Sequence, residues 1–322
     1  MQACLDSLLE QTHKDFEIIL VDNGSKDGSL EILKKNYSEI KIIENEKNEG
    51  FAKGNNQGIK IAMGQYIATL NNDTVTDRDW LKNLVFTIES GPNVGMCGSK
   101  ILSSSDHSII DSVGIKVCLD GMSRGVGRME KDTGQYSAIQ EILLPSACAA
   151  LYRKKMLDEI GLFDEDFFAY CEDTDLGLRG ALMGWKALLN PGAIVYHHYS
   201  STGGKYSSFK AYLVERNHLW LALKIFPLRL VALMPVFILY RFTLQFYAAL
   251  MKKGATSEFL GQYSFLDAIT IIFKAYFDAF KKLPLFIKKR RIIQKSKKVS
   301  KSELYSWLKK NKLTFKEIVF KK

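Results

Sequence analysis

The chain has 322 residues, of which 47% are apolar, which is enough for a sizeable core and, as a prior, for about two domains. Its net charge of +10 comes from one end, because residues 281–322 hold 16 Lys or Arg and two acids, a charge of +14, which leaves −4 for residues 1–280. The five scattered cysteines form no C-x-x-C pair, which argues against a disulfide framework or a zinc site and for a reducing compartment, and no signal segment opens the chain.

Helical and strand patterns alternate over the first 200 residues, most clearly up to residue 90. They predict helices in ACLDSLLEQ, GSLEILKKNY, GFAKGNNQGIKIAMG and DRDWLKNLVFTIES, and strands in FEIILVD, IKIIEN and YIATL. This alternation is typical of an α/β fold with a mostly parallel sheet flanked by helices. Ligands of such sheets bind at the carboxyl ends of the strands, where Asp22 and Asp73 stand. From about Val94 to Tyr152 the pattern weakens and predicts loops.

Two polar turns lie between these predicted strands and the helices that follow them. VDNGSKDGS (21–29) leads from a strand end into a helix, so Asp22 can accept a hydrogen bond from a nucleobase, or can only build the turn and cap the helix. KNEGFAKGNNQG (47–58) carries glycines that permit close approach of a ligand or another backbone, and Asn48 and Asn56 offer neutral donors and acceptors. The alternative is a loosely built helix start.

The strand YIATL ends on Asn71-Asn72-Asp73-Thr74. A hard cation such as Mg²⁺ or Mn²⁺ takes one or two protein carboxylates and completes its shell with phosphate oxygens and water. Asp73 fits that role, with Asn72 as a polar neighbour. An Asx turn without any metal is the open alternative.

The segment CEDTDLGLRG (171–180) holds three acids in four positions, Glu172, Asp173 and Asp175. If a helix begins here, Asp175 and Arg179 face each other at i, i+4. Crowded carboxylates raise one another's pKa, which suits a general base. A solvated acidic helix start is the alternative.

The strand pattern AIVYHH ends in His197 and His198 and leads into a hydroxyl- and glycine-rich loop. His197 can complete the metal site begun by Asp73, or the pair can be structural.

Taken together, SLLEQTHKDFEIILVDNGSKDGS, NEGFAKGNNQGI, GQYIATLNNDT, LYRKKMLDEIGLFDEDFFAYCEDTDLGLR and VYHHYSSTGG resemble the family-2 inverting glycosyltransferases of the GT-A fold, most closely their rhamnosyltransferase-like branch. The resemblance covers about residues 1–220. It implies transfer of a sugar, rhamnose or another hexose, from a dTDP- or UDP-linked donor, with Mn²⁺ or Mg²⁺, to a growing cell-surface polysaccharide or lipid-linked acceptor at the cytoplasmic face of the cell membrane.

The resemblance also implies roles for individual residues. Asp173 matches the catalytic base of the family's ED motif, with Glu172 beside it. Asp73 matches the metal-binding aspartate, and His197 a histidine that binds metal in some members. We expect the nucleotide sugar to contact residues of the strand-end turns, namely Asp22, Asn23, Ser25, Asn48, Gly50, Asn56, Asn71 and Asn72.

The sequence departs from the family pattern at its start and at one loop. Family members begin with a central apolar strand, whereas this sequence starts inside the following helix, so we expect two exposed sheet edges. Either the true start lies upstream or the chain is a non-catalytic, membrane-associated remnant of a glycosyltransferase. Ala147 stands where relatives commonly have glycine.

These patterns divide the chain into a catalytic domain (1–205), an apolar and amphipathic helical region (206–280) and a basic tail (281–322). Residues 230–250 are long enough to span a bilayer, but Pro235 and Arg241 lie within them, so we favour an interfacial helix pair over a true span. The basic tail fits an anionic membrane surface or, alternatively, a solvated segment. No nucleic-acid-reading module accompanies it, so we expect no nucleic-acid partner.

Overall fold

The computed structural model describes residues 1–198 and 207–321, so the Ser/Thr/Gly-rich loop predicted after His198 and the predicted domain boundary at 205 lie outside the described residues. The strands of the described residues are β1 Ile19–Asp22, β2 Lys41–Glu44, β3 Tyr66–Leu70, β4 Thr74–Thr76, β5 Val94–Ser103, β6 Ile110–Ser112, β7 Ile115–Val117, β8 Ser123–Gly125, β9 Gln140–Ile142, β10 Ala149–Arg153 and β11 Lys186–His197. The helices are α1 Gln2–Leu9, α2 Ser29–Asn36, α3 Phe51–Ile61, α4 Trp80–Ile88, α5 Lys154–Ile160, α6 Glu172–Leu182, α7 Ser208–Ile225, α8 Leu228–Leu250, α9 Gly254–Leu260, α10 Phe265–Lys281, α11 Leu283–Ser296, α12 Lys301–Lys310 and α13 Phe315–Phe320.

The predicted α/β class is confirmed, and every helix and strand predicted in the first 90 residues is present. The main sheet has the strand order β3-β10-β5-β11-β4, with β6 paired to β5 and β9 to β11. Among the described strands, however, only β5–β11 and β1–β2 pair in parallel, so the sheet is mixed and not mostly parallel. The helix–strand alternation misses this because β4 and β10 are reached through turns and loops, which do not impose the parallel direction of a helical crossover.

The strands β1 and β2 form a two-stranded sheet of their own. Among the described strands β1 pairs only with β2, and β3 pairs only with β10, so each has one unpaired edge. Ile19, Leu20 and Val21 of β1 are accordingly only half-buried, although their composition suits a core strand. The separation matches the two sheet edges expected from the sequence.

The longest buried strand of the core, β5, lies in the region where the sequence predicts loops. Nine of its ten residues are buried, from Val94 to Leu102. Its glycines are closely packed, because a Cβ on Gly95 would lie 2.6 Å from Met156 Sδ and one on Gly98 would lie 3.1 Å from Pro145 Cβ. Glycines weaken the strand pattern, which explains why the prediction of loops was wrong here.

The C-terminal helices pack onto the sheet domain and share its core. Helix α7 contacts α10 and α11, and one apolar cluster joins Val117 of β7, Phe167, Trp220 of α7 and Phe286 of α11. The basic stretch 281–322 is therefore not an extended tail where it is described, because it folds into α11, α12 and α13. Arg290 fixes α11 by donating hydrogen bonds to the carbonyls of Leu223 (2.6 Å) and Phe226 (2.7 Å).

Within the described residues, α8 is the one helix long and apolar enough to cross a membrane by length and composition. Arg241 in its middle is 0% exposed. Its guanidinium donates to Asp120 (2.7 Å) before β8 and to Glu215 (2.7 and 2.8 Å) of α7. One side of α8 is thus tied by a buried ion-pair cluster to the rest of the protein, and breaking such a cluster is costly.

Candidate active site

The turn after β1 is organised by Asp22, which is 7% exposed. One of its carboxylate oxygens accepts hydrogen bonds from the backbone amides of Gly24 and Ser25, both at 3.1 Å. Asn23 donates to the Gly50 carbonyl (3.2 Å) and accepts from Asn45 (2.9 Å). The structure therefore brings the first predicted polar turn against the second one.

The second turn is shaped by Asn48 and Gly50. The Asn48 side-chain oxygen accepts a hydrogen bond from the Gly50 amide at 2.9 Å. Gly50 has a φ of +87°, and a Cβ at this position would lie 2.6 Å from the ring of Phe168 and 2.7 Å from its carbonyl oxygen. Glycine is required here by conformation and by space, and it lets the start of α3 touch the segment that leads to Glu172.

Asn56, which we predicted to contact the nucleotide sugar, is buried and forms its hydrogen bonds within the protein. Its side chain is 3% exposed, and its amide group donates to the Phe163 carbonyl (2.9 Å) and to Glu165 (2.9 Å). Its oxygen accepts from the Phe163 amide at 3.0 Å. The side chain joins α3 to the chain before α6, and its predicted contact with the donor would compete with these bonds.

The end of β3 carries Asn71, Asn72 and Asp73. The amide of Asn71 donates to the Cys148 carbonyl at 2.8 Å, and the Asn71 carbonyl accepts from the Thr74 hydroxyl at 2.6 Å. Asn72 is exposed, while Asp73 is half-buried. The open alternative of a local turn is thus present in the backbone, but the Asp73 carboxylate turns toward another strand.

That strand is β11, whose last residue is His197. Its Nε2 lies 3.3 Å from Asp73 Oδ1, and its Nδ1 lies 2.7 Å from Asp111 Oδ2. Burial opposes protonation of the imidazole, but the hydrogen bonds with Asp111 and Asp73 outweigh it and raise the pKa of His197 to about 12. Sequence reasoning missed Asp111, whose signal was an acid directly after two isoleucines.

The donor set at Asp73 and His197 fits a divalent cation. A carboxylate suits hard cations such as Mg²⁺ or Mn²⁺, and Asp111 would orient the imidazole of His197 through its second nitrogen. Among the described residues no group of three or more His, Cys, Asp or Glu side chains is arranged to hold a metal ion. A cation here would depend on phosphate oxygens and water for the rest of its shell, and it would compete with the proton on His197.

The start of α6 positions Glu172 and Asp173. Asp173 accepts hydrogen bonds from the backbone amides of Ala147 (3.3 Å) and Thr174 (2.6 Å). Burial nevertheless raises the pKa of Asp173. Glu172 is 6% exposed, and burial, reinforced by the charge of Asp173, raises its pKa well above the ordinary value. Crowding thus contributes to the raised pKa of Glu172, where burial is the larger cause, whereas the pKa of Asp173 is raised by burial.

The third acid of this motif, Asp175, forms buried ion pairs with two cations. Asp175 is 0% exposed and pairs with Arg179 (2.9 Å), the predicted i, i+4 partner. It also pairs with Lys224 of α7 (2.7 Å), which reaches Asp164 at 2.6 Å as well. The motif is therefore not a solvated acidic helix start, and Asp175 holds α6 against α7.

Two adjacent residues, Ala147 and Cys148, connect the Asp73 and Asp173 groups. The Ala147 amide donates to Asp173, while the Cys148 carbonyl accepts from the amide of Asn71, two residues before Asp73. Burial raises the pKa of the Cys148 thiol, with the neighbouring His197 as an opposing hydrogen-bond partner. The ends of β3 and β11, the start of β10 and the start of α6 thus meet at one edge of the sheet.

A cavity of about 670 Å³ opens beside the Asn48 turn. Its lining combines Lys47, Asn48, Glu49, Lys53, Asp164, Glu165, Asp166, Phe168 and Lys289. Of the predicted site residues in the described part of the chain, Asn48 lines this cavity, whereas Asp73 and Asp173 do not.

The N-terminal half of the chain matches a known family. The model of the glycosyl transferase family 2 matches residues 1–161, which is half of the chain. The chain belongs to glycosyl transferase family 2. Asp173 and His197 lie beyond the matched residues, so their roles rest on the local motifs.

Curated relatives of this glycosyltransferase act in the synthesis of glycans. A poly-beta-1,6-N-acetyl-D-glucosamine synthase of Staphylococcus epidermidis is 27% identical over 199 residues, which cover 61% of this chain and 46% of the relative. The chain therefore spans less than half the length of that relative. An N-acetylglucosaminyl-diphospho-decaprenol L-rhamnosyltransferase of Mycobacterium tuberculosis is 26% identical over 252 residues, which cover 68% of this chain and 81% of the relative.

Solved structures show the same GT-A fold. The mannosyltransferase PcManGT from Pyrobaculum calidifontis, solved with GDP-Man and Mn²⁺, superposes with a TM-score of 0.52 at 15% identity. The match covers 92% of this chain and 81% of the archaeal one. It therefore extends into the C-terminal helices.

Replacing Gly50 by alanine tests the contact between the second turn and Phe168. We expect Gly50→Ala to lower the free energy of unfolding by about 2–6 kcal/mol, because the strain of a positive-φ, extended-ψ conformation and overpacking against Phe168 add. The matched control is Gly134→Ala, where φ is +85° but nothing lies within 4 Å of the added Cβ, so only the strain remains. Equal losses in urea unfolding of the two variants would contradict the close contact at Gly50.

Proposed function

We propose that this glycosyltransferase transfers a sugar, rhamnose or another hexose, from a dTDP- or UDP-linked donor to a growing cell-surface polysaccharide or lipid-linked saccharide, with inversion at the anomeric carbon. The observation that carries the proposal is the link between Asp73 and Asp173 through Ala147 and Cys148. It brings a candidate cation ligand and a candidate base to the same edge of the sheet. The names of the staphylococcal synthase and the mycobacterial rhamnosyltransferase support the class of substrate.

In this proposal Asp173 is the general base. An acceptor hydroxyl attacks the anomeric carbon, its proton passes to the Asp173 carboxylate, and the bond between that carbon and the diphosphate oxygen breaks. The backbone amides of Ala147 and Thr174 hold the carboxylate in place. Its raised pKa supports the role, because a base works best when its pKa approaches the working pH.

The donor would bind across the polar turns. We propose that Asp22, Asn23 and Ser25 face the nucleobase side, and that Asn48 and Gly50 bound the ribose side. Asn71 and Asn72 would lie toward the diphosphate, and Asp73 with His197 would hold a Mn²⁺ or Mg²⁺ ion. When bound, such an ion neutralises charge on the leaving diphosphate.

Replacing the proposed base tests the mechanism. We expect Asp173→Asn to lower the transfer rate by about 10²–10⁴-fold while donor binding measured by calorimetry is retained, since the amide keeps the shape but cannot take the proton. The matched control is Asp158→Asn on the exposed face of α5, which removes the same charge and should leave the rate unchanged. Transfer by folded Asp173→Asn at the parental rate would exclude Asp173 as the base.

We further propose that the protein binds the cytoplasmic face of the cell membrane through one apolar face of its C-terminal helices. This membrane face comprises exposed residues of α8 and α10, namely Leu228, Leu233, Val236, Leu239, Phe246, Leu250, Phe265, Leu266, Phe273, Phe277 and Phe280. The two helices touch through the rings of Phe242 and Tyr276, whose centroids are 6.4 Å apart. So much exposed apolar surface is unusual for a soluble protein and is typical of an interaction site.

Charge next to the membrane face supports an anionic bilayer as its partner. Exposed Lys252 and Lys253 follow α8, and exposed Lys281 and Lys282 end α10. Each cation near an anionic leaflet adds about 1 kcal/mol of binding. The five free cysteines of the described chain fit a reducing cytoplasm.

The environment of Arg241 favours an interfacial position over a true span. A spanning α8 would have to leave Asp120 and Glu215, and would carry an unpaired guanidinium into hydrocarbon. Lying flat, the helix keeps this ion-pair cluster and turns its exposed leucines and phenylalanines toward lipid.

Vesicle flotation tests the membrane face. We expect Phe277→Ser to weaken binding to phosphatidylglycerol-containing vesicles roughly tenfold or more, because burial of one phenylalanine contributes about 1.5–3 kcal/mol. The matched control is Phe86→Ser on α4, since Phe86 is 67% and Phe277 65% exposed. Equal binding of both variants would contradict the assignment of the face, and resistance of the parent protein to alkaline carbonate extraction would indicate a true span.

A further inference from the structure

The segment before the Glu172–Asp173 pair has a strained backbone. Phe168 has φ 67° and ψ −66°, and the Ala169 amide donates to the Phe167 carbonyl at 2.9 Å, which together make a γ-turn of the rare positive-φ kind. Tyr170 and Cys171 follow with φ values of 66° and 69°. Non-glycine residues adopt this region rarely, and such strain persists only where surrounding contacts impose it.

A single buried side chain of α7 makes most of these contacts. Asn217 is 0% exposed. Its Nδ2 lies 3.0 Å from the carbonyl oxygen of Phe167, 2.8 Å from that of Ala169 and 2.7 Å from that of Tyr170. An amide carries two hydrogens, so the three acceptors share them, and all three carbonyls are directed at one nitrogen.

The start of α3 and Arg216 of α7 supply the remaining contacts of the strained segment. The Phe168 carbonyl accepts a hydrogen bond from the Ala52 amide at the start of α3, at 3.1 Å. Arg216 of α7 donates to the Phe167 carbonyl at 3.0 Å and stacks over the Trp220 ring at 4.3 Å. Each carbonyl from residue 167 to residue 170 is therefore held, and three of the four are held by Asn217.

We propose that Asn217 is a positioning residue for transfer, which imposes the left-handed course of residues 167–171 and thereby aims the Asp173 carboxylate at the acceptor hydroxyl. The inference rests on the proposed function, because it takes Asp173 as the base. It adds that α7, which lies outside the residues matched by the family model, belongs to the catalytic apparatus. A buried asparagine that only satisfies core carbonyls is the competing explanation.

The variant Asn217→Ala separates these explanations when it is compared with Asn190→Ala. Asn190 is also buried, at 6% exposure, and its Nδ2 donates to the Asn83 carbonyl (3.0 Å) and the Thr87 hydroxyl (2.8 Å), away from the Asp173 segment. We expect Asn217→Ala to lower kcat about 10²-fold with the donor KM unchanged, since a displacement of about 1 Å at a reacting group costs that much. Asn190→Ala should keep the parental kcat.

A double-mutant cycle tests whether Asn217 acts through the base. In the Asp173→Asn background, Asn217→Ala should cause no further loss, because there is no carboxylate left to aim. The proposal is overturned if both asparagine variants lower kcat equally, or if the losses of Asn217→Ala and Asp173→Asn multiply. If Asn217→Ala does not fold, Asn217→Ser, which keeps one donor, replaces it in the same comparison.

Hydrogen exchange keeps this test separate from the proposed function. If the parent protein shows no transfer with any donor, the proposed function fails, but exchange of the amides of residues 168–172 still reports on the segment. We expect Asn217→Ala to accelerate that exchange well beyond Asn190→Ala. Equal exchange in the two variants would overturn the role of Asn217 whatever the activity.

Discussion

The carboxylates of Asp73 and Asp173 are separated by 100 positions in the chain and are joined by one short segment, Ala147–Cys148, which contacts the surroundings of both. The join follows from strand register, because Leu70 at the end of β3 pairs with Ala149 at the start of β10. The antiparallel pairing of these strands therefore places Asn71 beside Cys148. The parallel strand β5 and the long strand β11 then deliver His197 to the same edge.

The C-terminal helical region has an inner face that contacts the sheet domain and an outer face that is exposed. On the inner face, Lys224 forms ion pairs with Asp164 and Asp175. Lys289 pairs with Asp164 and Asp166 at 2.5 Å. These ion pairs hold the acidic segment that leads into α6. Lys289 of the basic tail thus forms ion pairs within the protein. The outer face of α8 and α10 is apolar and exposed. Membrane binding by α8 and α10 and support of the base by α7 and α11 would thus be properties of one helical region.

The sequence predicts those features of the fold and site that depend on residues close together in the chain. Local patterns predicted the strand end at Asp22, the turn after β3 that carries Asp73, the helix start at Glu172 and the Asp175–Arg179 pair, because each depends on neighbouring residues. The α/β class followed for the same reason. What these patterns could not supply was the direction of strands reached through loops.

The residues missed by sequence reasoning all act through distant partners. Asp111 contacts His197 across 86 positions, and Asn217 reaches Phe167 across 50. Neither lies in a motif whose spacing suggests its partner. The central strand β5 was missed because its glycines, which pack closely against Met156 and Pro145, interrupt the apolar pattern on which strand prediction depends.

The most direct test of a shared cation and donor site is titration calorimetry of the parent chain with dTDP- and UDP-sugars, with and without Mn²⁺. We expect binding that requires the metal in the parent protein and in Asp158→Asn, and that is lost in folded Asp73→Asn, since one carboxylate supplies the protein's charge to the ion. Absence of any metal-dependent binding in the parent protein, or undiminished binding by Asp73→Asn, would contradict the account and would favour a non-catalytic remnant of the fold.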